Sequence, residues 1–228
     1  SSDLMLGFVT LLGTIFVANN TSSETTDIFE LQLTWSENGV EKSGTIVLEL
    51  YPDKAPVHVE NFKEIVAQGE YDNTIFHRVI DDFMIQGGDF TNADGTGGHA
   101  LVWSNYCNGQ ERTDSSCGGE GQSAWTIPDE ADNGLLHETC TISMAKTSQA
   151  HTGGSQFFLI PEDSNNGQGP SWLDGVHTVF GSITSGCDIV TTISEVPTGQ
   201  NDKPVGDVNL VSATFVGQSE TAPWYQFW

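Results

Sequence analysis

A closed β-barrel carrying two short helices is the fold class this sequence predicts, and three observations predict it. Short runs with strand periodicity recur along the chain, while only two segments carry helical periodicity. Charged residues make up 17% of the 228 and hydrophobic ones 37%, with Gly, Ser, Thr and Asn plentiful. That balance suits a β-rich globular domain better than a helical or disordered one. Many short strands with two helices point to a sheet closed on itself.

The elements follow in chain order. Residues 4–18, LMLGFVTLLGTIFVA, are an uncharged apolar run followed by the polar linker NNTSSETTD. The run is shorter than the ~20 residues that span a bilayer, and no basic segment precedes it. It reads as an export signal or truncated membrane anchor, with a strand or helix packed on the domain as the rival reading. Asn19-Asn20-Thr21 and Asn20-Thr21-Ser22 are overlapping glycosylation sequons, which fit an exported linker. From Ile28, IFELQLT alternates apolar and polar residues, turns at Glu37-Asn38-Gly39 and returns as GTIVLELY, a hairpin. APVHVENFKEIVAQG then places Val59, Phe62, Ile65 and Val66 on one helical face, with Pro56 near its start and Gly69 as a stop. Strands are predicted at 74–80, 83–87, 140–145, 155–160 and 178–183, a helix at 187–194 and a last strand at 207–216. Between them, 99–134 is a Gly, Ser, Asn and Asp-rich insertion, a length that marks a functional or stapled loop. The chain thus divides into 1–27, a domain over 28–217 and the tail 218–228, whose aromatic end folds back on the domain or docks on a partner.

Charge excludes several functions. Thirty-one acidic residues against seven basic ones leave a net charge of −24. Nucleic acid is excluded because phosphate binding needs clustered Lys and Arg, and anionic membrane surfaces are disfavoured for the same reason. A salt-adapted surface and a generically acidic exported protein fit this charge equally. His99, Cys107, Cys117, His137, Cys140 and His151 crowd one third of the chain, but without the regular spacing of a zinc site. Disulfides are the better reading: Cys107–Cys117 within the Gly-rich insertion, and Cys140–Cys187 as a second pair whose alternative is two free buried thiols. DEADNG at 129–134 lacks the third-position and twelfth-position carboxylates of a calcium loop. No metal and no cofactor is expected.

FHRVIDDFMIQGGDF (76–90) with TNADGTGG, then TISMAKTSQAHTGGSQFFLI, then SWLDGVHTVFGSI, stand in the order and spacing of the cyclophilins, the peptidyl-prolyl isomerases, which this chain resembles over 28–217. VPTGQNDKPVGDV and the form MAKTSQAHTGGSQFF are similar to prokaryotic members, whereas Trp172 matches eukaryotic ones. The resemblance implies an eight-stranded antiparallel barrel capped by two helices. It implies His77, Arg78 and Gln86 as catalytic residues, and Phe83, Met84, Gly95, Ala145, Lys146, Gln156, Phe158, Trp172, Leu173 and His177 as substrate-binding ones. Proline-containing polypeptides are the implied partners, with cyclosporin-like cyclic peptides as further ligands. Asp81-Asp82 replace a Pro-Gly turn, and Lys146 and Thr147 replace the Asn and Ala common in eukaryotic members, a pair that bears on sequence preference more than on activity.

The chemistry agrees with that set. Rotation about a peptide bond is opposed by about 18–20 kcal/mol because the nitrogen lone pair is delocalised. X–Pro isomers lie close in energy yet interconvert in tens to hundreds of seconds. A catalyst must grip the ring and favour the twisted state, whose nitrogen has regained a lone pair that accepts a hydrogen bond. Arg78, one of only two arginines, offers a charged planar donor for that purpose. The expected activity is therefore isomerisation of X–Pro bonds in an exported or membrane-anchored folding helper, with a cytoplasmic location as the alternative. A non-catalytic Pro-peptide binding module or assembly subunit is the rival function.

Overall fold

The computed structural model describes residues 25–37 and 39–220. The N-terminal apolar run, the sequons and the aromatic end of the tail lie outside the described residues.

Strand alternation builds the barrel first. β1 (Thr25–Glu37) and β2 (Val40–Leu50) form the expected hairpin, with Phe29, Leu31, Leu33, Ile46, Leu48 and Leu50 pointing into the core. Gly39, at φ 79°, supplies the left-handed residue that a two-residue connection demands. α1 (Pro56–Ala67) follows, and its predicted face of Val59, Phe62, Ile65 and Val66 is buried. Phe62 is its anchor, with ring centroids 5.1–5.9 Å from those of Phe29, Tyr71, Phe157 and Phe180.

The segment read as one strand over 74–80 is broken. β3 (Thr74–Ile75) pairs with the last strand, and β4 (Arg78–Ile80) pairs with β5 (Met84–Gly87). The remaining elements are a small hairpin, β6 (Tyr106–Cys107) and β7 (Gln110–Glu111), then β8 (Thr141–Met144), β9 (Phe157–Leu159), the single turn α2 (Ser164–Gly167), β10 (Val179–Ser185), α3 (Cys187–Ser194) and β11 (Asn209–Glu220). The main sheet runs β3-β11-β1-β2-β10-β8-β9-β5-β4, antiparallel throughout. Its two outermost members, β3 and β4, are consecutive in the chain with only Phe76 and His77 between them. Counted as one bent strand they make eight and sew the two edges of the sheet together, as the barrel reading requires.

α3 matches its predicted bounds, whereas β11 starts and ends later than expected and β8 and β9 are shorter. Both cysteine pairs are formed, Cys107–Cys117 within the insertion and Cys140–Cys187 between the start of β8 and the first turn of α3.

Candidate active site

On β4, β5 and β9, alternation sends one set of side chains inward and the other out. Val79, Ile85, Phe157 and Leu159 join the barrel core, while Met84, Phe158 and Ile160 form a second apolar cluster with Ile80, Phe83, Ala145 and Leu173. Register then aligns a row across four strands: Arg78 lies opposite Gln86, Gln86 opposite Phe158, and Phe158 opposite Ser143. A donor, an amide and an aromatic ring thus share one face at strand spacing.

A cleft of about 220 Å³ opens over this row, lined by Arg78, Phe83, Met84, Gln86, Ala145, Lys146, Phe158, Leu173 and His177. Nine of the thirteen residues named from the sequence therefore meet in one place. Trp172 stands on the rim, 59% exposed, with its ring 5.7 Å from that of Phe83. Gly95 and Gln156 line an adjoining cleft of about 490 Å³, which shares Gln86, Ala145 and Lys146 with the first. His77 does not line the apolar cleft. It sits in the break between β3 and β4, is only 5% exposed, and packs on Gly95, where an added Cβ would meet its ring at 3.0 Å. Neither ring nitrogen of His77 has a partner among the described residues, and burial lowers its pKa.

Hydrogen bonds fix the polar members. Gln86 Nε2 donates to Gln156 Oε1 at 2.9 Å, and Gln156 Nε2 donates to the carbonyls of Gly95 and Gly97 at 3.0 and 2.7 Å. With its amide nitrogen committed, Gln86 has its carbonyl oxygen left to accept a backbone N–H. The loop over 91–98 is organised by Asp89, whose carboxylate accepts from the backbone of Thr91, Asn92, Asp94, Gly95 and Gly97. Burial pushes this carboxyl up, but those N–H groups outweigh it and hold its pKa down at about 2. His177 Nδ1 donates to the Met144 carbonyl at 2.9 Å, and burial lowers its pKa. Lys146, its side chain 6% exposed, lies 3.7 Å from Asp129.

Behind the cleft, His137 stacks on Phe158, with ring centroids 6.0 Å apart and an interplanar angle of 10°. Its Nδ1 is 2.9 Å from Asp174 Oδ1 and its Nε2 is 2.9 Å from Ser143 Oγ. The order Ser, His, Asp invites a hydrolytic reading, but Ser143 is 0% exposed and donates to the Thr178 carbonyl, so it meets no substrate. These bonds instead tie His137, stacked on the cleft residue Phe158, to Asp174, the neighbour in sequence of the cleft residue Leu173.

A family model described as cyclophilin type peptidyl-prolyl cis-trans isomerase/CLD matches residues 36–215. The chain belongs to the cyclophilins. A peptidyl-prolyl cis-trans isomerase-like 1 of Gibberella zeae is 39% identical over 177 residues, 78% of this chain and 92% of that protein. Peptidyl-prolyl cis-trans isomerase cyp18 of Streptomyces antibioticus is 37% identical over 183 residues, 77% of this chain and 95% of that one. Among solved structures, a Cryptosporidium parvum cyclophilin type isomerase superposes with a TM-score of 0.63 at 24% identity, covering 87% of this chain and 99% of its own, which speaks for the fold.

In this cyclophilin the insertion supplies residues that sequence reasoning did not assign. Asn108, Ser123, Trp125 and Thr126 wall the larger cleft, and the hairpin tip is tied in by Gly109 N–H donating to Thr126 Oγ1 at 3.0 Å. Only the length and the paired cysteines of the insertion hinted at such a role. Asp202, 3.3 Å from the Arg78 Nε, lies in the segment VPTGQNDKPVGDV, whose resemblance implies no role for it.

Proposed function

We infer that this cyclophilin isomerises X–Pro bonds in proteins by seating the proline ring in the cleft of Phe83, Met84, Phe158 and Leu173 and donating from Arg78 to the prolyl nitrogen of the twisted state. The observation that carries this reading is the cross-strand row that sets Arg78 and Gln86 beside Phe158. Apolar contacts hold the ring in all states, whereas the guanidinium gains a partner only when the nitrogen lone pair is released, so its bond lowers the barrier rather than tightening ground-state binding. Gln86 holds the flanking backbone through its amide oxygen, and Trp172 and His177 guard the rim. The cleft is also suited to the apolar backbone of cyclosporin-like cyclic peptides.

Work as a folding helper outside the cytoplasm fits the two disulfides, since such bonds persist in oxidising compartments. Cysteines recovered as free thiols from natively isolated protein would overturn that location. The isomerase reading is tested by a protease-coupled proline-peptide assay on the full chain. Accelerated cis-to-trans conversion is the expected result. Binding of X–Pro peptides with no acceleration of any of them would replace the enzyme with a Pro-peptide binding module.

A further inference from the structure

Arg78 is one of two arginines in the chain, and Asp202 holds it from outside the apolar cleft. The Nε–H donates to Asp202 Oδ2 at 3.3 Å, and the two side chains are 40% and 48% exposed. At that exposure an isolated ion pair adds little to stability. The backbone that delivers the carboxylate is nevertheless unusual, because Asn201 and Asp202 are consecutive left-handed residues with φ of 60° and 58°. Asn and Asp enter this region more readily than other residues with a Cβ, but as single residues, and two in succession persist where surrounding structure enforces them. Here the enforcement is visible: Gly199 N–H donates to the Lys203 carbonyl at 2.8 Å, Val205 N–H to the Pro197 carbonyl at 2.9 Å, and Thr198 bridges to Pro204.

A guanidinium is a rigid plane of five donors, so fixing Nε on one side sets where its Nη groups point on the other. Asp202 lines the neighbouring cleft with His77, Asp94 and Lys203 and is not among the residues lining the apolar one. We propose that Asp202 is a positioning residue for isomerisation, holding the Arg78 plane so that its Nη groups face the prolyl nitrogen. The tip that carries Asp202 is the device that presets Arg78 before substrate arrives. This role rests on the isomerase reading.

Three variants of the full chain test it. Asp202→Gly deletes the carboxylate and tolerates a left-handed backbone. It should lower kcat/KM by about three- to tenfold, the scale of one hydrogen bond of ~1 kcal/mol. The loss should fall on kcat, with peptide Kd and thermal midpoint close to those of the parent. Asp202→Asn keeps an oxygen acceptor in place and should recover most of the rate. In an Arg78→Ala background, Asp202→Gly should have no further effect. An unchanged or raised kcat/KM in Asp202→Gly, or an equal fold-loss with and without Arg78, overturns the positioning role. A parent protein with no isomerase activity means that the underlying reading has failed. An active parent with a slow Arg78→Ala and a normal Asp202→Gly sinks the positioning role alone.

Discussion

In the proposed reaction Arg78 acts through a single hydrogen bond, and its contribution is bounded. A charge-assisted bond is worth ~1.5–3 kcal/mol, which corresponds to about one to two decades in rate. Arg78→Ala should therefore reduce kcat/KM by that factor while peptide affinity falls far less, because the ring contacts persist. Arg78→Lys keeps the charge but not the planar fork and should recover only part of the rate. Full activity in Arg78→Ala with an unaltered circular dichroism spectrum would refute the mechanism. At this scale the cleft was legible, since its nine lining residues fall in the three short runs 76–90, 144–158 and 171–183. His77 lines the neighbouring cleft with Arg78, Gln86 and Gly95 and not the apolar one, a distinction that adjacency in sequence does not make. Asp202 escaped notice because it meets Arg78 from 124 residues away, and one acid among 31 carries no local signal.

Elements show where periodicity stops informing. Residues 74–80 read as one strand because Ile75, Val79 and Ile80 fit a strand pattern, and nothing in that pattern says that its halves pair with different neighbours. α1 was legible because it carries a clean apolar face with Gly69 as a stop, and α3 because Val190 and Ile193 give it a buried face. The disulfides act at the same scale by restricting the unfolded chain. Their sequence separations of 10 and 47 correspond to about 3 and about 4 kcal/mol in the chain-entropy model. Replacing both cysteines of each pair by Ser should lower the thermal midpoint more for Cys140/Cys187 than for Cys107/Cys117, by roughly 8–16 °C against roughly 6–12 °C at ~2–4 °C per kcal/mol. Calorimetry of the two double variants checks the order. Equal midpoints would show that neither bridge constrains the unfolded chain as drawn.

For the whole molecule, charge and burial set the response to solution conditions. A net charge of −24 is concentrated by folding, so the thermal midpoint should climb from low to molar NaCl as screening relieves repulsion. A flat or falling midpoint would leave a generically acidic surface. Acid acts through different groups. Burial lowers the pKa of His77, His99, His137 and His177, so below about pH 6.5 the unfolded chain binds protons that the folded chain refuses. Their contribution is fully present above that pH and is lost as pH falls toward the lowered folded values. The midpoint should decline between about pH 7 and 5. Constancy across that window would mean that these rings accept protons when folded.

The bent strand has a kinetic consequence. β4 carries Arg78 and forms one edge of the sheet, and that edge is secured only when β3 two residues earlier finds β11, with Thr74 opposite Leu210. That contact joins distant parts of the chain, so its loop-closure entropy is overcome late and the hairpin and helices have no need to wait for it. On refolding, far-ultraviolet helix signal should return before isomerase activity does, and activity becomes a stopwatch for ring closure. Until the ring shuts, Thr74 and Ile75 remain an unpaired edge open to other chains, so dilution should favour recovery of active protein over aggregate.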